Sequence, residues 1–261
     1  MNDDRENALR NLKRWISPYT PIMYYRTNDW IHEHRVFRHL LAIEDHIREV
    51  FGSSFDIHFA KTLALVHDDA EIITDDIQLY IKENMTPAEK EELAEKERKA
   101  IPILVQRYGA TINGLDYAEL LLAAQKKESL EAQVVSYCDK FDGLCEAIHE
   151  IRAGNRKFLV PIEGKKKDKG YIKRIADFEG KYPRLQGLLS REHPIFLPPR
   201  VNFETMLDQE KLHTEKSISQ VTGYAPYDFW IRTILSYEGN ENLVTQREFE
   251  TEDSENVNLY V

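Results

Sequence analysis

The chain has 261 residues, of which 42% are hydrophobic, and a formal net charge of −10 at pH 7. That apolar content supports one good-sized domain, or one domain with an extension. It contains no run of about 18 apolar residues that could cross a bilayer. The acidic balance argues against a general nucleic-acid binder, which needs a basic face.

The first segment, MNDDRENALRNLKRW, is charged and has no apolar stretch of signal-peptide length, so a cytoplasmic location is expected. Cys138 and Cys145 suit a reducing compartment. In a helical pattern they lie about 10 Å apart along the axis, too far for a disulfide. Residues 5–16 read as a short amphipathic helix, and the two prolines of 18-PYTPIMYY-25 mark a turn. A long helix is expected over 33–51, because Val36, Leu40, Ile43 and Ile47 form one stripe. Another follows at about 56–68. Thr86 starts the next, with Pro87 at its first position and Glu89 completing a capping box. That helix runs to about Arg107, and a short one covers 115–125. Ser129 caps a long helix that Gly154 stops.

After residue 154 a basic loop, 164-GKKKDKG-170, separates helical patches near 171–190 and 221–236. The last 24 residues hold seven acids and one arginine, and read as a solvated tail. No convincing alternating strand is present, so the fold class is all-α. The expected organisation is a core over 1–155, an extension over 156–237 and an acidic tail over 238–261.

The stretch richest in chemistry is 67-HDDAEIITDD-76, which closes an apolar helix. His67 and Asp68 are neighbours at a helix end, where a loosening backbone lets both side chains reach one ion. His34 opens the first long helix and Asp139 lies within the last. Two imidazoles and two carboxylates suit a divalent transition metal. Such an ion would activate water and polarise a phosphoryl oxygen. Glu71, one turn beyond His67, is placed to hold or deprotonate that water. Periodicity leaves the direction of Asp139 open, and Asp142 reads as a surface acid. The remaining histidines, His32 and His39 among them, take the ordinary reading of surface or satisfied core. Asp69 and Asp75 read as solvated or capping residues.

An isolated His, then His-Asp, then a distant Asp, each on its own helix, resembles the HD-domain phosphohydrolases. The run 67-HDDAEIITDDI-77 is similar to the His-Asp-x-x-Glu segment of the bacterial 5′-deoxynucleotidase group. The run 139-DKFDGLCEAIHEIRAGN-155 looks like that group's Asp-Lys helix. The resemblance covers about residues 24–155.

It implies an HD-domain helical bundle with His34, His67, Asp68 and Asp139 as metal ligands. Glu71 and Asp76 become the catalytic acids. Arg26 resembles a phosphate-binding arginine. Arg35 stands where the group often has Ser, and joins Arg26 as a substrate-binding candidate at the pocket edge. The cofactor implied is one divalent ion, drawn from Co, Mn, Zn, Fe or Mg. The partner implied is a small phosphorylated nucleotide, with no membrane and with a homo-oligomer left open. The expected reaction removes the 5′-phosphate of a (deoxy)nucleoside monophosphate. A dNTP triphosphohydrolase and a non-catalytic metal- or nucleotide-binding protein are the alternatives. Ile72 stands where alarmone hydrolases carry Asp, which lowers that reading.

Overall fold

The computed structural model describes residues 3–164, 169–203, 213–238 and 243. Residues 165–168 of the basic loop, and the acidic tail apart from Glu238 and Leu243, lie outside the described residues. The all-α expectation is met. Among the described residues the only strands are Thr111–Ile112 and Leu115–Asp116, an antiparallel pair with Thr111 opposite Asp116. Asn113 and Gly114 join them with φ of 49° and 82°, the positive pair that a type I′ hairpin requires. Strands of two residues leave no alternation for sequence patterning to detect.

The helices before the hairpin are α1 (Asp3–Asn11), α2 (Asp29–Ala42), α3 (Glu44–Phe51), α4 (Ile57–Ala64), α5 (Glu71–Thr74), α6 (Leu79–Asn84) and α7 (Pro87–Tyr108). The pattern expected as one helix over 33–51 is therefore two helices, broken at Ile43. The first begins four residues earlier than expected, because Asn28 accepts the Ile31 N–H at 3.0 Å as N-cap. The expected capping box forms at α7. The Thr86 hydroxyl accepts from the Glu89 N–H at 3.3 Å, and Glu89 accepts the Thr86 N–H at 2.7 Å. After the hairpin come α8 (Tyr117–Lys126), α9 (Leu130–Arg152), α10 (Leu159–Glu163), α11 (Tyr171–Ala176), α12 (Phe178–Lys181), α13 (Gln186–Leu189), α14 (Glu215–Ile218) and α15 (Ala225–Glu238). No helix among the described residues is long and apolar enough to cross a membrane.

Helix α9 is the axis of the fold. Helices α2, α4, α8, α11 and α15 all pack on it, and nearly every one of its residues is buried. Val36 and Leu40 of α2, with Ile43 at its end, join Val135, Leu144 and Ile148 of α9 in one core. Each fully buried side chain of this kind contributes about 1.5–3 kcal/mol relative to exposure. A central helix cannot be apolar all round and also carry chemistry. Asp139, Asp142, Glu146 and Glu150 recur at spacings of three, four and four, and all four are buried. They form an acidic stripe inside the protein, with each carboxylate partnered. Glu150, for example, accepts the N–H groups of Tyr24 at 2.9 Å and Tyr25 at 2.6 Å.

A second buried polar knot anchors the segment after α4. Arg5 of α1 grips Asp69 with two bonds of 2.7 Å and reaches Glu33 of α2 at 2.9 Å. The Tyr117 hydroxyl donates to Asp69 at 2.5 Å. Asp69 is thus fully buried rather than solvated, as its sequence position had suggested. Removing the guanidinium would leave two carboxylates buried without their cation. Arg5→Ala is therefore expected to destabilise the fold by about 3–5 kcal/mol, seen as a lower midpoint in denaturant. A loss below about 1 kcal/mol would place Arg5 among ordinary surface cations.

Candidate active site

The site is built where α4 gives out. Its last turn tightens, with the Val66 N–H bonding to the Leu63 carbonyl at 3.1 Å and the Asp69 N–H to the Val66 carbonyl at 3.2 Å. These turns swing the adjacent His67 and Asp68 toward one point. His67 directs Nδ1 to the Ala64 carbonyl at 2.9 Å. His32, on α2, directs Nδ1 to Asp142 Oδ2 at 2.8 Å. A carbonyl and a carboxylate only accept, so both rings carry the proton on Nδ1 and turn Nε2 to the centre.

Neither Nε2 has a hydrogen-bond partner, although both atoms are buried. The two rings lie 5.3 Å apart. Asp68 Oδ2 is 3.4 Å from each Nε2, and Asp139 Oδ1 is 3.5 Å from that of His32. Two orphaned imidazole nitrogens facing two carboxylates form a donor set that could hold a divalent ion. The electrostatics agree. Burial and Arg14 press the His32 pKa down, but the adjacent Asp139 carboxylate and the bond to Asp142 outweigh them and raise it to about 9. In the absence of a cation the carboxylates hold a proton there, and a divalent ion would take its place. Burial lowers His67 and keeps it neutral, the form that ligates metals. Burial opposes ionisation of Asp68, but nearby cations, His32 and Arg14 among them, outweigh it and bring its pKa to about 2.

A cavity of about 190 Å³ opens above this cluster, and one of about 240 Å³ adjoins it. Both are lined by Asp68, Glu71, Lys82 and Lys127. The first is walled by Arg14, Trp15, Asp76, Lys140, Tyr171, Arg174, Phe178, Lys181 and Tyr182, with Asp139 at its base. Its six cations face four carboxylates, two of which belong to the donor set. An acidic protein thus carries a locally basic cavity. Tyr171 reaches the cavity because α9 offers Gly143 beneath it; a Cβ there would lie 2.6 Å from the Tyr171 ring.

Glu71 is buried, with Oε1 taking the Lys82 ammonium at 2.8 Å and Oε2 without a partner. Burial drives its pKa well above the usual range, against the pull of Lys82. Asp76 Oδ2 accepts the Trp15 N–H at 3.1 Å. Trp15 itself has a φ of 64°, a strain of about 1–3 kcal/mol in a bulky residue. It is held there by the Asp76 bond, by its indole N–H on Glu146 at 2.6 Å and by the Thr20 hydroxyl on its carbonyl at 2.6 Å.

The structure brings His67, Asp68, Glu71, Asp76 and Asp139 together, and leaves three expected residues outside. His34 lies two residues past His32, about 200° round the helix. Its ring packs 4.2 Å from Trp30, and its Nδ1 bonds to the Trp30 carbonyl at 2.8 Å. His32 takes the position expected of His34. Arg26 lines neither cavity and instead donates to the Arg14 carbonyl at 2.5 Å, bracing the loop that carries Arg14. Arg35 is 1% exposed, paired to Glu146 at 3.3 Å and stacked 5.3 Å from the Trp230 ring, so it is no pocket edge. Asp142 is fully buried beneath His32 rather than on the surface.

Asp29, Asp68 and Glu71 also place oxygens within 4.8 Å of one another. Arg14, at 3.3 Å from Asp29 and 3.7 Å from Asp68, and Lys82 on Glu71 supply the counter-charge for that group.

Arg14, Trp15, Lys82 and Lys127 escaped the sequence reading. Arg14 and Trp15 sit at the end of the first amphipathic pattern, and the lysines lie on helices with no motif. One signal for His32 was present. It stands four residues before Val36, on the same stripe that marks the buried face of α2.

The family model described as 5′-deoxynucleotidase YfbR-like matches residues 7–178. The chain is 24% identical over 159 residues to 5′-deoxynucleotidase VV1113 of Vibrio vulnificus (strain YJ016), spanning 58% of this chain and 75% of that protein. It is 25% identical over 157 residues to a 5′-deoxynucleotidase of Shewanella oneidensis, spanning 58% of this chain and 74% of the relative. The family match covers well over half of the chain and takes in every residue of the donor set, so the protein belongs to the YfbR-like 5′-deoxynucleotidase family of phosphohydrolases.

Proposed function

We propose that the protein removes the 5′-phosphate of deoxynucleoside monophosphates, using one divalent ion held by His32, His67, Asp68 and Asp139. The observation that carries this reading is the pair of buried, unpartnered Nε2 atoms beside two carboxylates at the base of a cation-walled cavity. The names of the relatives agree with it. A divalent ion bound there supplies Lewis-acid polarisation of the phosphoryl oxygen and acidifies water.

The protein's own groups do the rest. The free oxygen of Glu71 orients the attacking water and takes its proton as the new P–O bond forms. Asp76, steadied by the Trp15 N–H, gives a proton to the departing 5′-oxygen as its bond to phosphorus breaks, so that it leaves as the nucleoside hydroxyl. Arg14, Lys82 and Lys127 set positive charge against the phosphoryl oxygens. Trp15, Tyr171, Phe178 and Tyr182 offer aromatic faces to the nucleoside. Residues 1–155 act as the catalytic core, and the segment after 155 closes the cavity with Tyr171, Arg174, Phe178, Lys181 and Tyr182. A nucleotide substrate suits a cytoplasmic location.

Purified protein would be assayed against nucleotides with and without added Mn²⁺ or Co²⁺. Metal-dependent release of inorganic phosphate from dAMP is the expected result. Release of triphosphate from dGTP would select the triphosphohydrolase alternative. No metal-dependent hydrolysis of any mono- or triphosphate would overturn the enzymatic reading.

Lys127 yields a pH prediction. It ends α8 in a left-handed conformation, with a φ of 56°, and its ammonium faces both cavities. Burial, then the charge of Lys140, lowers its pKa to about 8. The cation is therefore present below that pH and lost as pH rises through it. Since kcat/KM reports the free enzyme, it should fall for an anionic nucleotide above pH 8 or so. Lys127→Met should have a lower value at pH 7 and lack this alkaline limb. An unchanged limb in the variant would remove Lys127 from substrate binding.

A further inference from the structure

We propose that Trp230, on the C-terminal helix α15, is a positioning residue of the metal centre, acting through Asp142 on His32. The inference rests on the reading of His32 as a ligand. It extends the site to a helix that lies beyond the 7–178 segment shared with the family.

Asp142 is fully buried and collects three donors. Its Oδ2 takes His32 Nδ1 at 2.8 Å. Its Oδ1 takes His39 Nε2 at 3.0 Å and the Trp230 indole N–H at 2.7 Å. All four side chains have 0% exposure. Three donors engage both oxygens of this buried carboxylate and hold it in one orientation.

This anchored carboxylate has two consequences for His32. It fixes the proton on Nδ1, so that Nε2 keeps its lone pair for the centre. It also fixes the plane of the ring, because Asp142 cannot rotate without breaking two further bonds.

Of those two bonds, Trp230 supplies the one that cannot change its protonation, since an indole only donates. Its ring is wedged by Arg35 at 5.3 Å and by Tyr227 and His149 at 5.8 Å, so the donor is itself immobile. Helix α15 packs on both α9 and α2, the helices that carry Asp142 and His32. The C-terminal extension therefore does more than cover the core: it locks the angle of one ligand. Supporting residues of this kind typically alter metal affinity by about 10–100-fold.

The test is Mn²⁺ affinity of the full-length protein, measured by titration calorimetry well below the unfolding temperature. Trp230→Phe keeps an aromatic ring and removes the donor. It should weaken Mn²⁺ binding about tenfold or more, and Asp142→Asn should weaken it further. Replacing the Trp230 indole by benzothiophene, which keeps the shape and puts sulfur in place of N–H, should have the same effect as Trp230→Phe and does not depend on that variant folding. Ile234→Ala, a buried apolar truncation on the same helix, should lower thermal stability and leave Mn²⁺ affinity unchanged.

Wild-type affinity in the benzothiophene protein overturns the proposal, as does an equal loss in Ile234→Ala. A wild-type protein that binds no Mn²⁺ or Co²⁺ overturns the metal reading beneath it, an outcome distinct from either.

Discussion

His32→Ala is expected to lose divalent-metal binding and phosphate release together, whereas His34→Ala should leave both within about twofold of wild type. The contrast separates two histidines that differ by two positions and by about 200° of helix. His32 offers a buried Nε2 with no partner, 3.4 Å from Asp68 Oδ2 and 3.5 Å from Asp139 Oδ1. Removing it takes away one of only two imidazoles in the centre. Since even supporting residues shift affinity by about 10–100-fold, loss of a ligand should exceed about 100-fold. His34 bonds to the Trp30 carbonyl at 2.8 Å and packs on the Trp30 ring. Its loss is a packing change on the α1 side of the helix. Metal content after dialysis against Mn²⁺, together with phosphate release from dAMP, reads both variants. If His34→Ala loses the ion and His32→Ala keeps it, the donor set is misassigned.

Glu71→Gln should split binding from chemistry. The amide keeps the shape and can still accept from Lys82, so metal stoichiometry should be unchanged. It cannot take a proton, and kcat should fall about 10²–10⁴-fold, the range for loss of a positioned general base. The structure gives a reason for choosing Glu71 over its acidic neighbours. Its Oε2 is buried and unpartnered, and burial raises its pKa well above the ordinary carboxylate range, which strengthens it as a base. Asp69 is fully engaged by Arg5 and Tyr117, and Asp75 is exposed at the end of α5 with a φ of 63°. Activity within about threefold of wild type in Glu71→Gln would remove it from the proton path.

Much of this was readable from the sequence. The all-α class, the capping box at Thr86 and the start of α9 at Ser129 depend on contacts within a few residues, which local patterning captures. The HDDAEIITDD stretch stood out by composition as a concentration of metal-binding and proton-transfer groups. Its ten residues then take separate places: His67 and Asp68 at the centre, Glu71 and Asp76 at the cavity, and Asp69 in the Arg5 knot.

The sequence reading chose His34, which the structure turns away from the cluster, because a dipeptide outweighed a periodicity. Glu33-His34 resembles the family's first ligand, but extending the Val36–Leu40–Ile43 stripe back by one turn reaches His32. The buried face of a helix is a property of the whole stripe, and a ligand to a buried ion must lie on it. The acidic stripe Asp139, Asp142, Glu146 and Glu150 also has helical spacing. Spacing alone does not tell a buried acidic stripe from a solvated one, since acids are buried only when partnered.

Only the tertiary structure supplied those partners, because they arrive from far along the chain: Arg14 and Trp15 on Glu146, the Tyr24 and Tyr25 N–H groups on Glu150, and Trp230 on Asp142. The same holds for the basic cavity in a chain of net charge −10. Its cations come from the loop after α1, from α6 and α9, from the cap that ends α8, and from the segment after residue 170. The sequence by itself determined the fold class and picked out the kinds of groups, imidazoles and carboxylates, that the proposed chemistry uses. Which copy of each group faces the centre was decided by helix rotation and by long-range pairing, quantities that no local window contains.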